Sequence, residues 1–215
     1  MARGLARSGD FGEVVLVVVK GRIKFIKITC SESLSECVLC RSRQVAMVQS
    51  IGYPEYRPLV DEFVALAREA LAGNIVSIVL YGSVARGDAD RKSDIDLLLV
   101  LEEAAPAYCE RLQLVLPVLR RLHERPCWQE SVARGLFPEL NVLILSRAEA
   151  QQNRHIFLDM IEDAHVLVDR GGFFRDRLGL LQKRLQELDA KKVRHNGTWY
   201  WDLKPDLKPG ESVAL

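Results

Sequence analysis

The stretch Gly82-Ser83-Val84-Ala85-Arg86-Gly87, followed by Ser93-Asp94-Ile95-Asp96 and the apolar run Leu97 to Leu101, leaves few folds open to this chain. Just before it, Ile75 to Tyr81 is a β-branched and aromatic run bounded by Gly73-Asn74 and Gly82, the pattern of a buried strand. Gly82 has no Cβ, so the backbone can turn there and approach a ligand closely. Ser83 then falls at the start of a short helix, where free N–H groups and a hydroxyl favour a phosphate. Asp94 and Asp96 stand two apart at the head of the next strand, so they share a face at roughly 7 Å along the backbone. Two such carboxylates repel each other unless a cation lies between them. Hard oxygen ligands suit magnesium, which keeps waters and takes further oxygens from substrate phosphates. With Arg86 close by, these parts describe a nucleotide-phosphate site.

Turn chemistry alone accounts for some of these residues. Gly87-Asp88-Ala89-Asp90 reads as the loop between the two elements, with Asp88 and Asp90 as solvated charges. It does not account for two carboxylates alternating with Ile95 at the head of an aliphatic strand. A local rule broken at a strand end is where function is expected.

In this order, Gly-Ser-x-Ala-Arg-Gly, a short polar insert and Ser-Asp-Ile-Asp resemble the nucleotidyltransferase domain of the DNA polymerase β superfamily. The nearest likeness is to its minimal archaeal and bacterial members. The resemblance covers about residues 51–215, and only Gly82 to Asp96 carries motif-level specificity. It implies an α/β (α+β) nucleotidyltransferase fold, with a mixed central sheet flanked by helices. It further implies magnesium-dependent transfer of a nucleoside monophosphate from a nucleoside triphosphate to an acceptor hydroxyl. Asp94 and Asp96 would be the catalytic metal ligands, and Gly82, Ser83 and Arg86 would bind the nucleotide phosphates. Minimal members also occur as antitoxins beside a HEPN helical protein. A second reading is therefore a nucleotide-binding module that neutralises a HEPN-like partner, with or without catalysis.

The family pattern breaks at one place. Catalytic members supply a third carboxylate from a later strand, and the matching run here is Glu139-Leu140-Asn141-Val142-Leu143-Ile144-Leu145. Asn141 stands where that aspartate is expected, with an amide oxygen but no charge. Glu139, two residues earlier on the same face, is the other candidate ligand, and it reads equally well as a solvated strand-end glutamate.

Composition narrows the partners. Among 215 residues, 48% are hydrophobic and 27% charged, ordinary values for a globular chain with one core and room for a small accessory unit. The net charge of +1 argues against a broad nucleic-acid surface and makes a small nucleotide the easier substrate to defend. No apolar run is long enough to span a membrane, and no clean leader cleavage site follows Val14 to Val19, so a cytoplasmic protein is expected. The five cysteines do not suggest a disulfide framework. Cys30, Cys37 and Cys40 could seed a zinc site, but a fourth nearby ligand is missing.

Along the chain, residues 1–50 read as an extension, either a small hairpin built on Val14 to Val19 and Ile23 to Ile28 or a gene-model addition before Met47. Residues 51–170 form the expected nucleotidyltransferase domain, and 171–215 a C-terminal helix with an aromatic tail. A helix from Pro54 presents Val60, Phe63, Val64, Ala67 and Leu71, and Gly73 is its expected stop. A second spans about 107–124 with Leu112, Val115, Leu116 and Leu119 inward and a kink at Pro117. Pro126-Cys127-Trp128 and Gly135 mark a loop. Leu140 to Leu145 reads as a strand, 148–163 as a helix, and Val166 to Val168 as a short strand. Phe174, Leu178, Leu181, Leu185 and Leu188 make a last helical stripe. The tail aromatics Trp199, Tyr200 and Trp201 could stack a base, pack over the sheet, or meet a second subunit of a homo-oligomer.

Overall fold

A computed structural model of the protein describes residues 14–19, 22–28, 51–195 and 198–206. The chain divides into two compact units, 1–48 and 49–215. In the first, β1 (Val14–Val19) and β2 (Arg22–Ile28) form an antiparallel hairpin whose register shifts between Val17 and Val18. The three cysteines weighed as a zinc site and set aside, Cys30, Cys37 and Cys40, lie outside the described residues, as does Met47.

The second unit is a four-stranded mixed sheet in the order β5-β4-β3-β6, with helices on both faces. β3 (Ile75–Tyr81) and β4 (Ile95–Leu101) are the antiparallel central pair; β5 (Leu140–Ser146) runs parallel to β4, and β6 (His165–Asp169) antiparallel to β3. Both central strands are buried almost throughout, which is why they read as unbroken apolar runs. A mixed central sheet flanked by helices, with the Leu97 to Leu101 strand central, is as expected.

Alternation along β4 separates the two layers. Leu97, Leu99 and Leu101 join a core built with Leu59, Val60 and Phe63 of α1 (Tyr53–Leu71) and with α3 (Tyr108–His123). Leu98 and Val100 face Phe157 of α6 (His155–Leu158), Ala150 of α5 (Arg147–Ala150), and Phe174, Leu181 and Leu185 of α7 (Phe173–Glu187). Asp96 shares parity with Leu98 and lies on this second face.

Local expectations fail in four places. Helix α1 ends at Leu71, and Ala72, not Gly73, takes the positive φ of 40°. On α3 the buried stripe is Arg111, Val115, Val118 and Leu122, while Leu112 and Leu116 are exposed. A buried arginine rotates the helix. Pro126 starts helix α4 (Pro126–Ala133) instead of a loop, because proline at the first helical position gives up only an N–H that has no partner there. Residues 148–163 hold two short helices, α5 and α6, in place of one long one.

The Arg111 side chain clamps three elements. Its guanidinium makes a two-pronged bond to Glu149, at 2.6 Å from Nη1 to Oε2 and 3.1 Å from Nη2 to Oε1. Nη1 also donates to the Ile144 carbonyl at 3.1 Å, and Tyr108 Oη donates to the Val142 carbonyl at 3.2 Å. Both carbonyls lie on the outer side of edge strand β5, away from β4. At the other edge, Asp169 accepts from Ser77 Oγ and Phe174 N, each at 2.8 Å, and from Arg175 N at 3.2 Å, so it caps α7 and ties it to β3.

The tail forms an antiparallel pair, β7 (Lys191–His195) with β8 (Thr198–Asp202). Trp201 and Leu203 pack on the second apolar layer, and Tyr200 is exposed.

Candidate functional site

Strand β3 ends at Tyr81, and helix α2 (Gly82–Arg86) follows with no intervening loop. Tyr81 is paired with Asp96 in the β3–β4 ladder. The turn into α2 therefore comes down beside the Asp96 side chain, and Gly82 takes φ +78° to make it. A Cβ at Gly82 would lie 2.3 Å from Asp96 Oδ2 and 3.1 Å from its Cγ. The close approach that glycine permits is first of all to the carboxylate. Ser83, partly exposed, opens the helix next to it; its carbonyl accepts from Gly87 N and Asp88 N and closes the short turn.

Asp94 is exposed and lies one residue ahead of β4, not on the strand as the spacing suggests. Its approach is fixed by a compact turn. Asp90 Oδ1 accepts from Lys92 N at 2.8 Å and from Ser93 Oγ at 3.0 Å, which holds its carboxyl below the usual range. Asp90 is thus a structural turn residue and not merely a solvated charge. Asp88 meets Arg86 Nε at 3.2 Å, an exposed pair of small energetic weight.

On the far side of Asp96, the parallel register places Asn141 directly opposite. Asn141 Nδ2 donates to Asp96 Oδ1 at 2.9 Å. Burial pushes the Asp96 carboxyl above its usual range; the Asn141 bond opposes this, the Asp94 charge adds to it, and Arg86 opposes it. Tyr81 is pushed up to about 12, by burial first and then by the negative charge of Asp96. The ladder begins with Ile95 N donating to the Glu139 carbonyl at 2.8 Å, so Glu139 stands at the level of Asp94, with an exposed side chain. Among the described residues, no three His, Cys, Asp or Glu side chains are placed to hold a metal ion together.

The structure thus brings Gly82, Ser83, Asp94 and Asp96 to one end of the central strand pair, with Arg86 acting on Asp96 through its charge. Two hard carboxylates suit a divalent ion such as magnesium, which takes further oxygens from water and phosphate. It does not offer a third anionic ligand at position 141. Two neighbours escaped the sequence reading. Tyr81 sits opposite Asp96, which only the β3–β4 register reveals. His165 Nε2 lies 3.2 Å from the Ala85 carbonyl, with its ring 5.0 Å from that of Tyr53. A carbonyl only accepts, so Nε2 carries the proton. No local signal marks His165, because it reaches α2 from a strand 80 residues away.

Residues 64–193, more than half of the chain, match the family described as the nucleotidyltransferase domain. Two provisionally named protein adenylyltransferases of Methanocaldococcus jannaschii are similar over shorter stretches. One is 30% identical over 61 residues, 28% of this chain and 42% of its own length. The other is 46% identical over 41 residues, 19% of this chain and 41% of its own length. The matches thus span about two fifths of these relatives. Among solved structures, a tri-AMPylated HEPN toxin with its MNT antitoxin from Shewanella oneidensis aligns at 12% identity. That alignment covers 62% of this chain and 92% of the other, with a TM-score of 0.36. Among the described residues no helix is long and apolar enough to cross a membrane.

Proposed function

The chain belongs to the nucleotidyltransferase domain family, and from that premise we propose that it transfers a nucleoside monophosphate from a nucleoside triphosphate to an acceptor hydroxyl. The observation that carries this reading is the seating of Asp96 directly under Gly82, so that a carboxylate and a phosphate-binding turn share one corner. Gly82 and Ser83 receive the triphosphate on the free N–H groups and hydroxyl at the head of α2. Arg86 adds positive charge on the same side. Asp94 and Asp96 would hold magnesium, whose chemistry there is to neutralise phosphate charge and favour attack at the α-phosphorus. The acceptor oxygen then bonds to that phosphorus and pyrophosphate leaves. The names of the two archaeal relatives support ATP as donor and a protein hydroxyl as acceptor. Such a reaction fits the cytoplasmic setting expected from the sequence.

The test is label transfer. The full chain, incubated with α-labelled ATP, magnesium and a lysate, should mark one or a few proteins, and Asp96→Asn should abolish the mark. No label in any fraction, from any of the four nucleoside triphosphates, would remove the enzymatic reading.

A second reading is an antitoxin-type module that binds nucleotide and neutralises a HEPN-like partner. The amide at position 141 favours it, since a site short of one carboxylate binds more readily than it turns over. Neutralisation of a HEPN-like toxin by the Asp96→Asn protein, as fully as by the native one, would favour this reading over catalysis.

A further inference from the structure

We infer that Asn141 is a positioning residue for Asp96 and sets the site to take one divalent ion with the nucleotide, not two. The inference deepens the proposed function and rests on it.

The geometry begins with register. Asp96 and Asn141 are directly paired across two parallel strands, so their side chains rise from the same face as neighbours. The 2.9 Å contact joins an amide nitrogen to a carboxylate oxygen. An ionised carboxylate can only accept, so the amide must present its N–H to Asp96 and turn its oxygen elsewhere. Asn141 therefore supplies a donor where a third carboxylate would supply a charge. Asp96 is held from two sides. Gly82 leaves no more than its own hydrogen against Oδ2, and Asn141 fixes Oδ1.

The charge count follows. Two ions about 3.5–4 Å apart repel strongly and need anionic ligands between and around them. Asp94 and Asp96 supply two negative charges, and no third acidic, histidine or cysteine side chain among the described residues completes a metal-holding group. Glu139 is exposed just ahead of β5, level with Asp94 at the same strand end, and no such group includes it. One ion, carried in with the triphosphate, matches that supply. A hydrogen bond to a charged group also narrows the rotamers of Asp96 and lowers the ordering cost of binding.

Manganese provides a countable probe. The full chain is titrated with Mn2+ in the presence of a non-hydrolysable ATP analogue, and bound ion is counted by electron paramagnetic resonance. One ion per chain is expected for the native protein. Asn141→Ala should keep that number and weaken ion–nucleotide binding about fivefold to tenfold. Asn141→Asp should tighten binding or admit a second ion, visible as spin coupling between two manganese centres. Two ions on the native chain would overturn the one-ion assignment. Unchanged affinity in Asn141→Ala would overturn the positioning role, and no gain in Asn141→Asp would overturn the charge argument. If the native chain binds no ion with nucleotide, the proposed function itself fails and this inference falls with it. Position 141 is exposed, so the variants should fold, and a thermal melt of each verifies it.

Discussion

Gly82 and Asp96 share a space that holds one side chain, not two: a methyl group on Gly82 would sit 2.3 Å from Oδ2. The glycine of this turn is therefore required twice, by its φ of +78° and by the carboxylate beside it.

Gly82→Ala should cost about 1–2 kcal/mol, from the unfavourable φ together with the contact. It should weaken ion–nucleotide binding more than its stability loss suggests, because Asp96 must swing aside. Chemical denaturation and calorimetric titration, run together, check both parts. A variant that is destabilised but binds normally would separate the turn from the site.

Asp96→Asn should have the opposite effect on stability. Its carboxyl is raised by burial, so the ionised form is harboured at a cost above the folded pKa, and that cost is absent below the ordinary carboxylate range. The variant should be more stable than the native chain by about 1 kcal/mol at neutral pH, with the gain fading on acidification towards pH 4. Thermal melts across that range test the sign.

Much of this was legible in the chain, for reasons the structure makes plain. β3 and β4 are buried on both faces, so their composition announces them, and the site residues between them lie close in sequence. What could not be read depends on distant partners. The buried stripe of α3 is displaced because Arg111 finds Glu149, 38 residues on, and a lone arginine beside Leu112 gives no hint of that. His165 and Tyr81 enter the site through strand register, which local periodicity does not encode. Asn141 lies opposite Asp96 in the parallel ladder, and its donor role needed the 2.9 Å contact.

The Arg111–Glu149 pair should be visible in the acid limb of stability. Arg111 hydrogen bonding holds Glu149 down to about 2, against an ordinary value of 4.5. A depressed carboxyl contributes stability that is fully present above about pH 4.5 and lost as pH falls towards 2. Arg111→Met should cost about 3 kcal/mol at neutral pH, since it leaves a partly buried carboxylate without its partner. It should also flatten the acid limb between those two values. A denaturant series at several pH values checks it.

Asp169 is a cap with three donors, from Ser77, Phe174 and Arg175. Asp169→Ala should cost about 2 kcal/mol and loosen the start of α7, read as faster amide exchange there. Ion–nucleotide binding should stay unchanged, because β6 pairs with β3 on the side away from Asn141.

A chain beginning at Met47 should melt at the same temperature as the full chain. The second unit begins at Gln49, and Ile51 already pairs with Ala89. A lower melting temperature would assign residues 1–46 to the fold.

The bonds from Tyr108 and Arg111 to the outer carbonyls of β5 reach beyond the strength of one clamp. An edge strand with free main-chain groups is adhesive, and α3 is the cover that makes this one inert. Until α3 docks, a newly made chain carries a strand that another copy can extend. Variants that loosen the cover would therefore lose soluble yield in addition to any deficit in equilibrium stability. The order of assembly on this side of the sheet becomes a determinant of yield.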